Sequence, residues 1–285
     1  MVNGQRSIIK KAMKQLLTIL FLITLLPLGL SAQTCEVENT AFKAGESVRY
    51  DLYFDWGIIW KKVGYATFTT DETIYNNQPA YDIRLMAIGS KEADLLFKLR
   101  DTLQVYMTER LEPLYYKKAA EEGSHYSVDQ AWYSREDGVS KVHQLRTRPG
   151  VPDYEPSETD TDDSRCIYDM LSIIARARNF PDSYFVKDVQ TTLPLATGQK
   201  VEDETLICLG DMVIKAKNGK KYACKGFSLF AFTKEGDKKE ILRFYITNDA
   251  NRLPVRIDFY LKIGSAKAYL KEVSGNAHPL ASQQK

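Results

Sequence analysis

Few residues of this sequence have the types and spacing that acid-base or metal chemistry requires. Histidine is the side chain that titrates near neutral pH, and the 285 residues contain three: His125, His143 and His278. We predict the first two on strands among polar neighbours and the third in a disordered tail at 276–285. The sequence contains neither a Gly-x-Ser-x-Gly elbow nor a His-Glu-x-x-His zinc motif. We therefore predict exposed strand histidines, no metal site, no cofactor and no enzymatic activity.

Paired carboxylates are the second candidate, because two of them suffice to hydrolyse a glycosidic bond. Asp51 and Asp55 lie four residues apart on one predicted strand, so their side chains share a face about 13 Å apart. That separation is wider than the roughly 5 to 9.5 Å of glycosidase acid pairs. We interpret them as solvated charges opposite a buried face, and a carboxylate-dependent enzyme acting on cell-wall glycans is the least favoured hypothesis.

An acidic segment at 149–163 could bind Ca²⁺. It holds three prolines and six acidic residues, but it lacks the glycine and the terminal glutamate of a defined calcium loop. We predict that these residues form an exposed, solvated loop.

Two tryptophans form the best local candidate for a ligand contact. Trp56 and Trp60 flank a short apolar stretch at 57–59, in a chain with 17 tyrosines and 12 phenylalanines. Large amphipathic rings at a wet rim can grip a lipid or a sugar. The alternative, which we favour, is that both tryptophans close one end of the core, because such rings are usually mostly buried.

Arg252 is the third candidate for a ligand contact. It lies in the segment NDANRLPV at 248–255, whose asparagines, aspartate and proline supply turn chemistry between two strands. The turn does not require an arginine at this position. We favour a structural salt bridge over a ligand contact, since arginines near strand ends are usually solvated or paired.

The cysteine spacing excludes a redox dithiol or a zinc knuckle, since it contains no Cys-x-x-Cys motif. The four cysteines are Cys35, Cys166, Cys208 and Cys224. They allow three disulfide pairings, between which the spacing does not choose.

A hairpin register limits one of these pairings. If Asn218-Gly219 is a two-residue turn, Cys224 lies opposite Val213 and Cys208 lies opposite Leu229. The two cysteines would then be about 17 Å apart along the ladder. This register disfavours a bridge between Cys208 and Cys224.

The first 32 residues have the pattern of a cleaved signal peptide. Four basic residues precede an apolar run at 16–30, which is followed by Ser31-Ala32-Gln33. The run is shorter than the roughly 20 residues of a membrane-spanning helix, so we predict cleavage after Ala32, a periplasmic or secreted location and no transmembrane span. Cleavage removes four basic and no acidic residues from 39 and 37, leaving 35 against 37. Such a charge balance favours binding to neither nucleic acid nor a membrane surface.

The elements that would position these residues are mostly strands. Apolar and polar residues alternate along the chain, for example at 48–54, 81–87 and 103–107. Turn residues separate the alternating segments at intervals of about ten to twenty residues, which is typical of an antiparallel meander. We predict a mainly β fold in which meandering antiparallel strands form a curved sheet or partial barrel, in one domain at 42–275 after a short extension at 33–41.

One segment has a helical period instead. Between Cys166 and Pro181 the apolar residues recur at helical spacing, and Asp163 or Ser164 can cap the start. We predict one central helix at about 165–179, packed on the sheet.

Several segments, taken in order, resemble an exported bacterial family, DUF3108, a domain of unknown function. The segments are FKAGESVRY (42–50), FDWGIIWKKVGYATF (54–68), LFKLRD (96–101), CIYDMLSIIARARNF (166–180), GKKYACK (219–225), NDANRLPV (248–255) and GSAKAYL (264–270). The resemblance covers about 42–275. It implies a β-rich envelope protein, akin to the open half-barrels that carry lipids or lipoproteins across the periplasm, and it implies no catalytic residues. Relatives carry cysteines at the places of Cys166 and Cys224, which implies a bridge between these two, with Cys35 and Cys208 as additions.

We consider three hypotheses for function. The first is a monomeric, non-enzymatic periplasmic binding protein whose ligand, a lipid, a lipid-linked molecule or a polysaccharide, lies between the helix and the sheet. The second is an envelope assembly factor that binds another protein through a strand edge or the region of Trp56 and Trp60. The third is the carboxylate-dependent enzyme described above.

Overall fold

Alternating apolar and polar residues form strands along most of the described chain. The computed structural model describes residues 35–56, 59–94, 98–122, 125–232, 236–260 and 264–284, within a compact unit at 33–285. The strands are β1 (Glu46–Trp56), β2 (Ile59–Tyr75), β3 (Gln78–Gly89), β4 (Leu99–Thr108), β5 (Pro113–Glu122), β6 (His125–Glu136), β7 (Val139–Thr147), β8 (Ser157–Asp163), β9 (Gln190–Ala196), β10 (Val201–Lys215), β11 (Lys221–Phe232), β12 (Lys238–Thr247), β13 (Pro254–Tyr260), β14 (Ser265–Ser274) and β15 (Gln283–Gln284). The helices are α1 (Lys91–Asp94) and α2 (Met170–Ala177), and a 3-10 turn spans Asp182–Phe185.

All these strands belong to one antiparallel sheet, built from two meanders that meet at β1 and β14. The strand order is β8-β7-β6-β5-β4-β3-β2-β1-β14-β13-β12-β11-β10-β9, with β15 paired to β11. The sheet is not closed into a barrel. This architecture confirms the predicted fold class.

The inner face of the sheet carries the core. On β1, Val48, Tyr50 and Leu52 are buried, which is the face that the alternation predicted. Helix α2 packs on β3 and β4. The outer face, opposite these core residues, is the face on which the candidate site lies.

Helix α2 starts later than the predicted span of 165–179. Its N-cap is Asp169, whose carboxylate accepts hydrogen bonds from two backbone N–H groups of the first turn. The residues before it are extended, because Tyr168 forms a parallel bridge with Leu195 of β9. Helical spacing is thus overridden by backbone pairing with a strand that comes later in the chain.

The acidic segment at 149–163 is only partly a loop. Residues 157–163 form β8, the edge strand that pairs with β7. The exposure along β8 alternates, so that Glu158, Asp160 and Asp162 face solvent. The prediction of a loop was wrong for this half, since a pairing partner lets acidic residues form a strand while their charges stay hydrated.

The C-terminal segment is packed, which contradicts the predicted disordered tail at 276–285. The backbone N–H of His278 donates to Asn251 Oδ1 at 2.9 Å, and that of Ser282 donates to Asp249 Oδ2 at 3.0 Å. Asn251 is fully buried. Polar residues that indicate a turn in sequence therefore hold the tail, because a buried amide needs hydrogen-bond partners.

A buried ion pair joins three separate parts of the chain. Arg178, at the end of α2, lies 2.5 Å from Glu46, and the two side chains are 1% and 0% exposed. The guanidinium also donates to the carbonyl oxygens of Asn251 and Ala41. The segment preceding β1, α2 and the loop before β13 are thereby connected.

The disulfide links Cys35 to Cys166, with Cα atoms 5.4 Å apart, while Cys208 and Cys224 are free and buried. The predicted bridge between Cys166 and Cys224 was wrong. The segment after Cys166 lies beside β9, and β10 separates β9 from β11, which carries Cys224. Three strand spacings are about 14 Å, and a disulfide needs Cα atoms within about 7 Å.

The hairpin between β10 and β11 has a three-residue loop at 217–219, with Gly219 at φ 85°. Cys224 therefore lies opposite Met212, one residue from the predicted partner, and a bulge places Cys208 opposite Phe227. The free state of both cysteines agrees with the prediction that they form no bridge with each other.

Candidate functional site

Trp60 lies on the outer face of β2 and is 45% exposed. Its ring stacks on Tyr53 at 5.1 Å between centroids, with 16° between the planes. The favoured interpretation, that this tryptophan closes one end of the core, was therefore wrong. The side chain of Trp56 is outside the part of the protein that the structure describes, so its role stays a prediction.

Three neighbouring strands build an aromatic cluster around Trp60. Tyr53 of β1 points away from the core because it alternates with the buried Leu52. Tyr269 of β14 meets Tyr53 edge-on at 5.8 Å and Trp60 at 6.0 Å. We call Tyr53, Trp60 and Tyr269 the outer aromatic cluster.

Cations cover the rings of this cluster. Lys217 Nζ lies 4.4 Å from the centroid of Tyr53, and Lys267 Nζ lies 5.2 Å from that of Trp60. Lys217 comes from the β10–β11 hairpin, and its backbone N–H donates to Leu270 at 2.9 Å. These distances are typical of cation–π contacts, so a hairpin from the other meander completes the cluster.

Most of the surrounding cations have an acidic partner. The ion pairs are Lys62–Asp51 at 2.6 Å, Lys267–Asp55 at 2.6 Å and Arg256–Asp258 at 2.6 Å. The prediction of solvated charges was wrong for Asp51, which is only 7% exposed. Within the described ranges, Lys217 has no carboxylate partner.

A cavity of about 320 Å³ lies on the same face, next to the aromatic cluster. The two adjoin because Lys62 pairs with Tyr53 across β1 and β2. We call the cavity the outer cleft, and its lining residues are Arg49, Lys62, Gly64, Tyr65, Gly89, Ser90 and Glu92. A side chain at Gly64 would overlap the carbonyl oxygen of Ile88, so glycine allows β2 and β3 to approach closely here.

Arg49 supplies a positive charge to the outer cleft, and its cross-strand neighbour on β14 is Glu272. Its guanidinium carbon lies 5.1 Å from the ring centroid of Tyr65, and the residue is exposed. Among the residues that the structure describes, no carboxylate forms an ion pair with it. Glu92 lines the same cleft, where hydrogen bonds from its own backbone and from Ser90 lower the pKa of its carboxyl group.

Arg252 lies elsewhere and makes structural contacts. Its guanidinium is 2.8 Å from Asp182 and 4.1 Å from the ring centroid of Phe185. It also donates to the carbonyl oxygen of Phe180. These contacts are those of the structural salt bridge that the sequence favoured, and they do not bring Arg252 to the outer aromatic cluster.

The histidines do not meet in one place. His125 is exposed, His143 Nδ1 lies 2.9 Å from Asp160, and His278 Nε2 lies 2.6 Å from the carbonyl oxygen of Thr40. In the described part of the chain, no three His, Cys, Asp or Glu side chains are grouped as metal ligands would be.

The sequence indicated Trp60 but missed the residues that surround it. Tyr53 stands on the polar face of an alternating strand, where an aromatic residue was a usable signal of a surface contact. Tyr269 gave the same weak signal. Lys217 gave none, because its position depends on how the two meanders meet.

Comparisons with known proteins give a fold and a family. A crystal structure described as a β-barrel-like protein of domain of unknown function DUF1849 from Brucella abortus matches 80% of this chain and 96% of its own, with a TM-score of 0.53 and 12% identity. A putative exported protein with YmcC-like fold from Bacteroides fragilis matches 84% of this chain and 98% of its own, with a TM-score of 0.34 and 8% identity. None of the curated proteins matches the sequence.

Two further observations bear on the class of protein. In the ranges that the structure describes, no helix has the length and apolar character needed to cross a bilayer. The family described as "Protein of unknown function (DUF3108)" matches residues 49–271, which is most of the chain. The chain therefore belongs to the DUF3108 family.

Proposed function

We propose that this protein is a non-enzymatic binding protein of the periplasm or cell envelope, and that it holds a polysaccharide on the outer aromatic cluster. The observation that carries the proposal is the exposed ring of Trp60. Burying a large aromatic side chain stabilises a protein by a few kcal/mol, and this ring leaves nearly half of its surface in water. A sugar ring offers an apolar C–H face that can cover the part of the Trp60 ring that Tyr53, Tyr269 and Lys267 leave in water.

The sizes of two void spaces favour a ligand site on the outer face over the predicted ligand site between the helix and the sheet. The gap between α2 and strands β12 and β13 is about 10 Å³, about the volume that a single water molecule requires. A lipid chain would fit there only if the helix moved. The outer cleft is a depression open to solvent with about 320 Å³ of space, so it can take a group of an extended ligand without any movement of the fold.

The open sheet ends at β8 and at β9, and charge on the β8 edge counts against the second hypothesis for that edge, in which a partner adds a strand there. The acidic side chains of β8 face solvent at every second residue. Charged residues on an edge strand protect it from pairing with other chains. The region of Trp60 is the other contact surface that this hypothesis offers to a partner protein, and such contact is one outcome of the test below.

Affinity electrophoresis of the purified protein in gels that contain a soluble polysaccharide tests the proposal. We expect a panel of bacterial and plant polysaccharides to retard the wild type, and Trp60→Ala to lose at least tenfold in affinity. The matched control is Tyr126→Ala, since Tyr126 is 41% exposed but lies on β6. If no polysaccharide retards the wild type, or if Trp60→Ala binds as the wild type does, the proposal is wrong. Cross-linking of Trp60 to another protein in cells would instead support an assembly factor.

A further inference from the structure

The charge distribution on the outer face indicates the chemistry of the ligand. Three of its cations are neutralised by carboxylates at 2.6 Å, namely Lys62, Lys267 and Arg256. Across the described residues, Arg49 and Lys217 have no such partner. Lys217 lies over Tyr53 of the outer aromatic cluster, and Arg49 lines the outer cleft, where Glu92 also lies and where Glu272 of β14 is the cross-strand neighbour of Arg49. The outer face therefore offers one cation outside an ion pair at the cleft and another at the aromatic cluster.

Arg49 is held in position without an acid. Its guanidinium carbon lies 5.1 Å from the ring centroid of Tyr65, which is within the range of a cation–π contact, and among the described residues its N–H groups have no hydrogen-bond partner. These groups are arranged to donate two parallel hydrogen bonds to a carboxylate or a phosphate. Arg49 also lines the outer cleft, which has room for such a group.

The distance between Arg49 and Trp60 sets the length of the ligand. Trp60 pairs with Asp55 on β1, and Asp55 is six residues from Arg49. At about 3.3 Å per residue, the two positions are about 20 Å apart. One sugar cannot contact both, whereas an extended chain of several sugars can.

We propose that the ligand is an anionic polysaccharide, and that the outer cleft binds one of its carboxylate or phosphate groups through Arg49 while a sugar ring stacks on Trp60. This inference rests on the proposed function. Lys217, over Tyr53, provides a second positive charge along the same path. The Lys62–Asp51 ion pair lies between Arg49 and Lys217, and it contributes no net charge.

Arg49→Gln is the informative variant, and Arg148→Gln is its matched control. Arg148 is also exposed, and its guanidinium carbon lies 5.1 Å from the ring centroid of Tyr154, but it lies outside the outer cleft. Neither arginine has an ion-pair partner in the part of the chain that is described, so we expect both variants to melt within about 2 °C of the wild type, because surface substitutions away from such contacts change stability little.

The probes are polygalacturonate, the same polymer with its carboxyl groups reduced to alcohols, and phosphomannan. We expect the wild type to bind at least one anionic polymer more tightly than the reduced one, with an affinity that falls as NaCl rises. Arg49→Gln should lose about tenfold in that affinity, and Arg148→Gln should lose less than twofold. The anionic polymer that responds to Arg49→Gln identifies the group as a carboxylate or a phosphate.

Two results would overturn the inference in different ways. If the reduced polymer binds as tightly as polygalacturonate and phosphomannan, and needs Trp60 but not Arg49, the anionic ligand is refuted while the proposed function stands. If none of the three polymers binds, the inference is refuted, and the polysaccharide panel described above decides whether the proposed function stands. An equal loss for Arg49→Gln and Arg148→Gln would mean unspecific charge attraction, and it would also overturn the assignment of the cleft.

Discussion

The substitution Glu204→Gln should change the pH dependence of stability. The free energy of unfolding of the variant minus that of the wild type should be larger at alkaline pH than at acidic pH. Glu204 lies on the inner face of β10 and is only 4% exposed. Its Oε2 has no hydrogen-bond partner among the described residues. Burial, together with the nearby Glu202 and Asp203, raises the pKa of its carboxyl group from 4.5 to about 7.

The sign and size of the effect follow from this pKa. The folded protein binds the proton of Glu204 more tightly than the unfolded chain does. The contribution of this group to stability is therefore greatest below pH 4.5, and it falls as pH rises to about 7. Each pKa unit is worth about 1.36 kcal/mol. The loss from this one group is therefore about 2–3 kcal/mol, the lower figure allowing for solvent screening. A glutamine does not titrate, so the variant avoids this loss.

Urea unfolding followed by tryptophan fluorescence at pH 4 and pH 8 measures the effect. The quantity to compare is the free energy of unfolding of Glu204→Gln minus that of the wild type. We expect this difference to increase by about 2–3 kcal/mol from pH 4 to pH 8, whatever constant offset the amide introduces. Glu158→Gln, an exposed position on β8, is the control and should show no such increase. A difference that stays constant with pH would refute the reasoning.

Three substitutions test the contacts that hold the fold. Cys35→Ser removes the disulfide to Cys166 and should cost about 2–5 kcal/mol in the free energy of unfolding, with no further loss when a reductant is added. Glu46→Gln leaves Arg178 buried without its carboxylate and should cost about 3–5 kcal/mol in urea unfolding; an unchanged midpoint would contradict the buried pair. Gly275→Ala places a methyl group against a backbone carbonyl oxygen at a positive φ, and its melting temperature should fall by several degrees.

The strands were predictable because each has one buried and one solvated face. On β1 and β4 the residues that alternate in sequence are the residues buried in the structure, for example Val48 and Val105. Such a pattern is local, since successive side chains on a strand point in opposite directions. The prediction failed where pairing overrode local preference: Tyr168 is extended although it lies within the predicted helix at about 165–179, and residues 157–163 form a strand despite their acidic composition.

The candidate site was only partly predictable. Trp60 was identified as a candidate by its residue type. Its exposure was not predicted, because a strand has side chains on both faces and the sequence did not show which face carries Trp60. Tyr53 and Tyr269 are far apart in sequence and meet only because β1 pairs with β14. Lys217 joins them through a hairpin of the second meander.

The sequence by itself determined the fold class and the membership of the DUF3108 family. Both depend on local periodicity and on the order of short motifs along the chain. The tertiary structure alone decided which cysteine pairs with Cys166, that the tail packs on Asn251, and which cations of the outer face lack an acid. These properties depend on which strands are neighbours, and in an open sheet of two meanders that order is set by contacts between residues far apart in the chain.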